Sequence, residues 1–187
     1  EPVHLEIDLA LDLAEGRAAG SVTTHVRAQR AGAQALTLDA VDLAIADAAD
    51  PAGRPLTWRY DGRKLYLRWQ DAFAKGEQRR VRVDYAVTIP SAGLYFSRPT
   101  AAAPDAHWYA VTDHETERAR HWLPCIDLPN VRTTLDIRLR ANQRFTALAN
   151  GFLVAETDHG DGSRTTHWRL EQRCPSYLVC FAVGDFV

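Results

Sequence analysis

The sequence predicts an all-β domain, an antiparallel sandwich. Three observations predict it: apolar and polar residues alternate in many short segments, turn residues separate those segments, and no long stretch keeps the 3.6-residue period of a helix. The segments recur at roughly the 8–12-residue spacing of sandwich folds. Of the 187 residues, 46% are hydrophobic, which is enough for a substantial core. No repeat or linker divides the chain, so we predict a single β domain over residues 1–187.

The N-terminal half contains the clearest strand patterns. Leucine and isoleucine alternate with more polar residues over residues 5–13, which is typical of a strand with one buried face. Asp61-Gly62 is a strong hairpin signal between two apolar segments. The alternating segment at residues 78–89 closes the N-terminal half, and we place Ile89 on the buried face of this predicted strand. The further strands predicted here cover residues 20–28, 36–39, 41–45, 55–60, 64–69 and 78–89.

The C-terminal half repeats the pattern with shorter segments. An Ala/Pro-rich loop covers residues 100–106, and a glycine-containing hairpin tip covers residues 158–162. Only residues 115–120 suggest a turn of helix. Cys180 lies in an apolar run, so we place it in the core, because a free cysteine packs as a small hydrophobic residue. Residues 93–99 form a short aromatic segment. The strands predicted here cover residues 133–139, 145–149, 152–156, 165–170 and 178–183.

Composition excludes several classes of protein. The net charge of -2 and the pI of about 6.4 give no electrostatic basis for nucleic-acid binding. No apolar run approaches the ~18 residues of a membrane span. Three cysteines without C-x-x-C spacing argue against a disulfide framework and slightly favour a cytoplasmic setting. The chain has no Met and begins at Glu1, which is typical of a processed N-terminus or of a piece of a longer protein.

One segment approaches a zinc-protease motif without completing it. H-E-x-x-H places two histidines one helical turn apart on one metal. Here His114-Glu115 is followed by Arg118, a permanent cation at the position of the second histidine. We therefore predict no metal site in this chain. The remaining histidines considered show no such pairing and are interpreted as surface or packing residues: His25, His107, His121, His159 and His167.

The segment after this near miss carries a family resemblance. Residues 120–129 read R-H-W-L-P-C-I-D-L-P. They resemble a signature near the end of the N-terminal domain of aminopeptidase N-like zinc metallopeptidases, a gluzincin family that includes leukotriene A4 hydrolase. The opening strand and segments 20–22, 36–39, 93–97 and 175–186 look like their family counterparts in the same order. The resemblance therefore covers nearly the whole chain.

The resemblance implies a saddle-like, sandwich-derived N-terminal domain that closes one side of a peptidase cleft. In the family, an acidic or amide side chain five residues before the signature arginine binds the substrate's free α-amine, and Glu115 has that spacing from Arg120. Asp113 stands where the family often has a glutamine that lines the pocket for the first substrate side chain. A more acidic pocket would suit basic side chains. Arg120, Asp127 and Pro129 would support the loop, with an ion pair between Arg120 and Asp127.

The same resemblance implies what lies outside these residues. The family's exopeptidase strand, its H-E-x-x-H motif and a distant glutamate ligand would follow, and they are absent here. Zinc is therefore expected only in the catalytic domain of the parent enzyme. The partners expected are that catalytic domain and peptide N-termini. The chain alone is expected to be inactive.

Other interpretations stay open at this stage. Some relatives keep the fold without the zinc motif and serve as interaction scaffolds, and an unrelated adhesive β sandwich is a third possibility. If the resemblance fails, Glu115 is interpreted as a solvated loop glutamate. Cys125 is interpreted as a packing residue and not as a nucleophile. An H-E-x-x-H motif with a downstream glutamate in the sequence after Val187 would distinguish the enzyme from the scaffold.

Overall fold

A computed structural model describes residues 1–186, which are 58% strand and 3% helix. This confirms the all-β prediction. The two helical segments of the described chain are 3₁₀ turns of three residues each, at Ala119–His121 and Ser176–Leu178. Nothing in residues 1–186 is a helix long and apolar enough to cross a membrane. The strands are β1 Pro2–Asp12, β2 Arg17–Arg27, β3 Ala35–Asp39, β4 Ala44–Ala49, β5 Leu56–Tyr60, β6 Lys64–Trp69, β7 Gln78–Thr88, β8 Gly93–Ser97, β9 Tyr109–Asp113, β10 Arg132–Asn142, β11 Thr146–Ala149, β12 Phe152–Asp158, β13 Ser163–Pro175 and β14 Phe181–Gly184.

The strands form three sheets. The largest has seven strands in the order β12-β13-β10-β1-β2-β7-β4, and the other two follow the orders β11-β14-β9-β8 and β3-β6-β5. Every pairing is antiparallel except that of β1 with β10, which is parallel and pairs Leu5 with Leu135. The sheets are thus mostly antiparallel, as predicted, with this one parallel pair among the described strands. Parallel neighbours require a long crossover, and the chain supplies one from β2 to β9 before β10 joins β1.

Period-two alternation places the core as predicted. Along β1, Ile7 and Leu9 are fully buried, and along β10 Ile137 is as well. All three sheets contribute to one hydrophobic cluster, which also holds Leu67 of β6 and Val183 of β14. Each such side chain stabilises the fold by about 1.5–3 kcal/mol relative to an exposed one. The same alternation sends the polar residues of β1 to the outer face of the large sheet.

Three local predictions were wrong for identifiable reasons. The strand predicted at residues 41–45 runs instead from Ala44 to Ala49, because Asp42 has a φ of 55° and the amide of Leu43 bonds to the Tyr60 hydroxyl at 2.9 Å. Ile89 is 75% exposed, because its φ of 45° ends β7 and turns the side chain away from the buried face. Cys180 is exposed, since the strand predicted to contain it begins one residue later.

Candidate functional site

The loop between β9 and β10, residues 114–131, contains most of the residues that the sequence analysis selected. It leaves a strand that is hydrogen-bonded on both sides, to β8 and to β14. Gly93 at the start of β8 allows the loop to approach closely, because a Cβ built there would lie 2.1 Å from the carbonyl oxygen of Arg118. Gly93 also has a φ of +80°, which favours glycine. The strand and the loop are therefore held in direct backbone contact.

An ion pair between Arg120 and Asp127 closes the loop on itself. Arg120 Nε donates to Asp127 Oδ2 at 2.9 Å, and the Arg120 amide donates to the same oxygen at 3.2 Å. Arg120 also donates to the Asp127 carbonyl oxygen at 3.1 Å. The Asp127 side chain is completely buried, whereas that of Arg120 is 23% exposed. The contact expected between these two residues is therefore present, and it has the charge-assisted geometry of a strong pair.

The pair continues into a network that reaches two other parts of the fold. Asp127 accepts a 2.6 Å hydrogen bond from Ser176, in the 3₁₀ turn before β14. The Asp127 amide donates to Asp39 Oδ2 at 3.1 Å, and Lys64 donates to Asp39 Oδ1 at 2.8 Å. Burial alone would raise the pKa of Asp39, but the hydrogen bonds from Lys64 and the Asp127 amide, together with the charges of Arg120 and Lys64, outweigh it and lower the pKa. The loop is thereby fixed to the β3-β6-β5 sheet.

Asp113 and Glu115 are both exposed, and His114 between them is buried. Asp113 is the last residue of β9 and pairs with Gly93, and Glu115 follows at the start of the loop. The His114 ring lies 6.0 Å from that of Trp122 and is tilted by 36° to it. Burial lowers the pKa of His114 and so favours its neutral form. An inward histidine between two outward carboxylates leaves both carboxylates available to a ligand.

The His114–Arg118 near miss does not fit a zinc ion. The Arg118 amide donates to the His114 carbonyl oxygen at 3.2 Å, so the segment does make one turn. The His114 side chain is nevertheless buried in the core, while Arg118 is exposed. The two side chains thus diverge. Cys125 is buried, and burial raises the pKa of its thiol well above the usual value, which fits packing and not nucleophilic attack.

Pro129, the last of the expected loop-support residues, is exposed. It lies in a turn over residues 128–131, in which the Val131 amide donates a 3.1 Å hydrogen bond to the Leu128 carbonyl oxygen. Trp108 packs against Phe145, with ring centroids 6.0 Å apart. A surface cleft of about 250 Å³ lies beside β8 and includes Tyr95 and Phe96. Neither Asp113 nor Glu115 lines this cleft.

Sequence reasoning missed Asp39, Lys64 and Ser176 as members of the loop's support. Asp39 ends a predicted strand, and a carboxylate that directly follows a buried leucine was the available signal. No spacing along the chain connects residue 39 with residue 127, because the contact depends on how two sheets pack. The sequence therefore indicated the internal pair of the loop and not its external attachments.

The fold is an all-β domain, and its β9–β10 loop carries exposed carboxylates and is attached to the neighbouring sheets by hydrogen bonds. The chain belongs to the Peptidase M1 N-terminal domain family, whose model matches residues 1–178. The resemblance to zinc metallopeptidases of the aminopeptidase N type is thus confirmed. The homologues are M1 metallo-aminopeptidases and leukotriene A4 hydrolase.

Similar proteins are much longer than this chain. It is 29% identical over 196 residues to the puromycin-sensitive aminopeptidase of Caenorhabditis elegans, covering 99% of the chain and 20% of that protein. It is 24% identical over 189 residues to the leukotriene A-4 hydrolase of Xenopus laevis, covering 97% of the chain and 31% of that protein. The chain therefore spans about a fifth to a third of these relatives.

Solved structures support the fold. A mutant M1 zinc metallopeptidase from Deinococcus radiodurans, in complex with a Tyr-Ser-Ala substrate, superimposes with a TM-score of 0.86 at 22% identity. The match covers 98% of this chain and 42% of that one. At this identity the likeness establishes the fold alone, and it confirms the saddle-like β domain that the resemblance implied.

Proposed function

We propose that this chain is the N-terminal β domain of a zinc metallo-aminopeptidase, where it closes one side of the active-site cleft. In this proposal Glu115 binds the free α-ammonium of the peptide substrate. Zinc is held by a catalytic domain elsewhere in the parent, and there it supplies an activated water for attack on the first peptide bond. The residues of this chain bind and orient the substrate's amine end and exclude water from it. The chain alone is inactive.

The observation that carries the proposal is the exposure of Glu115 on a loop with two fixed ends. Its N-terminal end continues β9, and its C-terminal part is held by Arg120 and Asp127. A carboxylate presented in this way loses little conformational freedom when a ligand binds. It can form a charge-assisted hydrogen bond with an ammonium group, and this bond strengthens when cleft closure lowers the local dielectric.

Asp113 extends the proposal to substrate preference. It is the second exposed carboxylate on the same face, since the buried His114 separates it from Glu115. We place it at the pocket for the first substrate side chain. An additional negative charge there would favour arginine and lysine over neutral side chains.

The experiment that tests the proposal replaces Glu115 with alanine in the full-length parent. Loss of an interaction with a charged group costs about 1.5–3 kcal/mol, so kcat/KM for free-amine substrates should fall by roughly ten- to a few-hundred-fold. An N-acetylated peptide, already a poor substrate, should suffer little further loss. Glu117→Ala is the matched control, because Glu117 is an exposed carboxylate of the same loop that pairs with Arg120 at 3.3 Å.

Two outcomes would contradict the assignment. Normal turnover of free-amine substrates by Glu115→Ala would remove Glu115 from the site, and unfolding of the variant would make the residue structural. The sequence after Val187 supplies an independent test. A parent without H-E-x-x-H and a downstream glutamate would favour an interaction scaffold over an enzyme.

A further inference from the structure

The outer face of the seven-stranded sheet brings together two histidines and a carboxylate from neighbouring strands. His4 of β1 and His25 of β2 are directly opposite each other in the antiparallel register. Their ring centroids are 4.9 Å apart and the rings meet edge to face, at 85°. Glu6 lies two residues beyond His4 on the same face, and its Oε1 is 2.5 Å from Nε2 of His25. The cluster is far in sequence from the β9–β10 loop and plays no part in the function proposed above.

We propose that His4, Glu6 and His25 form a binding site for a divalent transition-metal ion, with Zn²⁺ as the preferred occupant. One donor atom from each residue lies within 4.8 Å of the other two. Donors at about 2.0–2.1 Å from a tetrahedral Zn²⁺ are about 3.3 Å apart, so side-chain rotation is enough to close the set around an ion. Two imidazoles and one carboxylate suit zinc better than calcium or magnesium, which prefer oxygen ligands.

The exposure of the three side chains fits an accessible ion site. The side chains of His4, His25 and Glu6 are 21%, 26% and 36% exposed, so each is partly packed and still reachable from solvent. Because the three side chains are partly packed, they lose little rotamer freedom when an ion binds. Their solvent-facing side leaves room for a water molecule as the fourth ligand. Three protein ligands with one open position are a recurrent zinc arrangement.

Neighbouring residues of β10 supply the outer contacts that such a site needs. His4 Nδ1 lies 2.7 Å from the Thr134 hydroxyl, and His4 Nε2 lies 3.4 Å from Asp136 Oδ2. A histidine that binds metal through one ring nitrogen is normally oriented by a hydrogen bond at the other. Asp136 is itself held by Arg169 at 3.1 Å and by His167. Only one of these two contacts can remain when the other ring nitrogen of His4 binds the ion, so either Thr134 or Asp136 is the positioning residue for His4.

This inference departs from the sequence-based prediction of no metal site. That prediction searched for histidines one helical turn apart, a spacing that only a helix makes useful. In this fold the ligands are neighbours through strand register: His4 and His25 face each other across β1 and β2, and His4 and Glu6 are related by the two-residue repeat of one strand. Sheet pairing therefore creates a cluster that has no linear motif.

Calorimetric titration of Zn²⁺ into the metal-stripped, tag-free chain of residues 1–187 tests the proposal. We expect one Zn²⁺ per chain, with a rise in the thermal unfolding midpoint on binding. His25→Gln and Glu6→Gln should each weaken the affinity by at least about 10–100-fold, the loss typical of disturbing even an outer contact. His159→Gln is the matched control, because His159 is an exposed histidine next to β12 whose ring, like that of His4, contacts a hydroxyl group, Thr165 Oγ1 at 2.8 Å. The His159→Gln variant should bind Zn²⁺ with wild-type affinity.

A second measurement keeps the test decisive if a ligand variant fails to fold. NMR of the histidine ring nitrogens in the unmodified chain should show Zn²⁺-dependent shifts for His4 and His25, with His107 and His159 unaffected. No uptake of Zn²⁺ by the folded chain would overturn the proposal. Wild-type affinity in both His25→Gln and Glu6→Gln, or shifts confined to other histidines, would do the same.

Discussion

Asp39 and Asp127 lie 88 residues apart in the sequence, yet the Asp127 amide donates a 3.1 Å hydrogen bond to Oδ2 of Asp39. Two neighbouring carboxylates would repel each other without cations beside them. Lys64 and Arg120 provide those cations, at 2.8 Å from Asp39 Oδ1 and 2.9 Å from Asp127 Oδ2. Two ion pairs joined by a backbone-to-carboxylate hydrogen bond thus attach the β9–β10 loop to the three-stranded sheet.

Asp127→Ala should destabilise the domain by about 2–4 kcal/mol. Removing one partner of a buried ion pair leaves the other without compensation, which costs about 3–5 kcal/mol when both are buried, and Arg120 is exposed enough to recover some hydration. Ser176 would also lose its acceptor. Urea unfolding followed by circular dichroism measures the change.

Glu117→Ala is the control for this prediction, because it removes the other carboxylate partner of Arg120 at an exposed position. Exposed pairs contribute about 0–1 kcal/mol. If Asp127→Ala lowers the free energy of unfolding by no more than Glu117→Ala does, the buried network does not hold the loop.

Asp39→Asn should change how stability depends on pH. The folded-state pKa of Asp39 is lowered, so its carboxylate stabilises the fold above the unfolded-state pKa of about 3.9, and this contribution disappears as the pH falls through the lower folded value. At neutral pH the variant should be less stable by about 1–2 kcal/mol, since Lys64 is half exposed.

Urea unfolding between pH 7 and pH 3 distinguishes this effect from a general acid sensitivity. The stability difference between wild type and Asp39→Asn should narrow in the acid range, while Asp105→Asn, at an exposed loop position, should follow the wild type. A difference that stays constant down to pH 3 would mean that the charge of Asp39 is not the stabilising feature.

Sequence patterns predicted most strands because burial on one face imposes a period of two. The alternating segments reappear as strands β1 and β7, and Asp61-Gly62 lies in the turn between β5 and β6. The pattern could not reveal that β1 pairs with β10 in parallel, since a buried face has the same period whichever way its neighbour runs. It also extended β7 to Ile89, because hydrophobicity does not register a positive φ.

The candidate site was predictable where its contacts are local. Arg120 and Asp127 belong to one loop, so their spacing within the signature was informative. Asp39 and Ser176 reach Asp127 only through the packing of separate sheets, and His4 meets His25 only through strand register. Contacts of this kind have no signature in a single sequence.

Gly93→Ala should disturb the attachment of the loop to β8. The new Cβ would lie 2.1 Å from the Arg118 carbonyl oxygen, and the φ of +80° would add backbone strain. Gly62→Ala is a matched control, because Gly62 has a φ of +89° and nothing within 4 Å of the added Cβ. Strain alone costs about 1–2 kcal/mol, and overpacking adds about 1–3 kcal/mol.

The difference between the two glycine variants therefore isolates the close contact. Thermal unfolding should place Gly93→Ala below Gly62→Ala, and activity of the full-length parent should fall for Gly93→Ala alone, since Gly93 pairs with Asp113. Equal stabilities would indicate that the loop moves away from β8 at no cost.

Asp113→Asn in the full-length parent should reduce its preference for basic N-terminal residues. The substitution keeps the size of the side chain and removes its charge, so a change in preference reports electrostatics. An exposed ion pair contributes about 0.2–1 kcal/mol, and partial closure of the cleft raises this toward the upper end. The ratio of kcat/KM for arginyl and leucyl substrates should therefore fall by about 2–6-fold.

Salt and a control variant give this prediction two further checks. Raising the ionic strength should lower the wild-type ratio toward that of Asp113→Asn and leave the variant's ratio nearly constant, because salt screens charge interactions and not packing. Asp105→Asn should keep the wild-type ratio, since Asp105 precedes β9 whereas Asp113 ends it, so the strand's length separates them. If Asp113→Asn lowers turnover of arginyl and leucyl substrates equally, Asp113 supports the loop or the amine site, and its placement at the side-chain pocket is wrong.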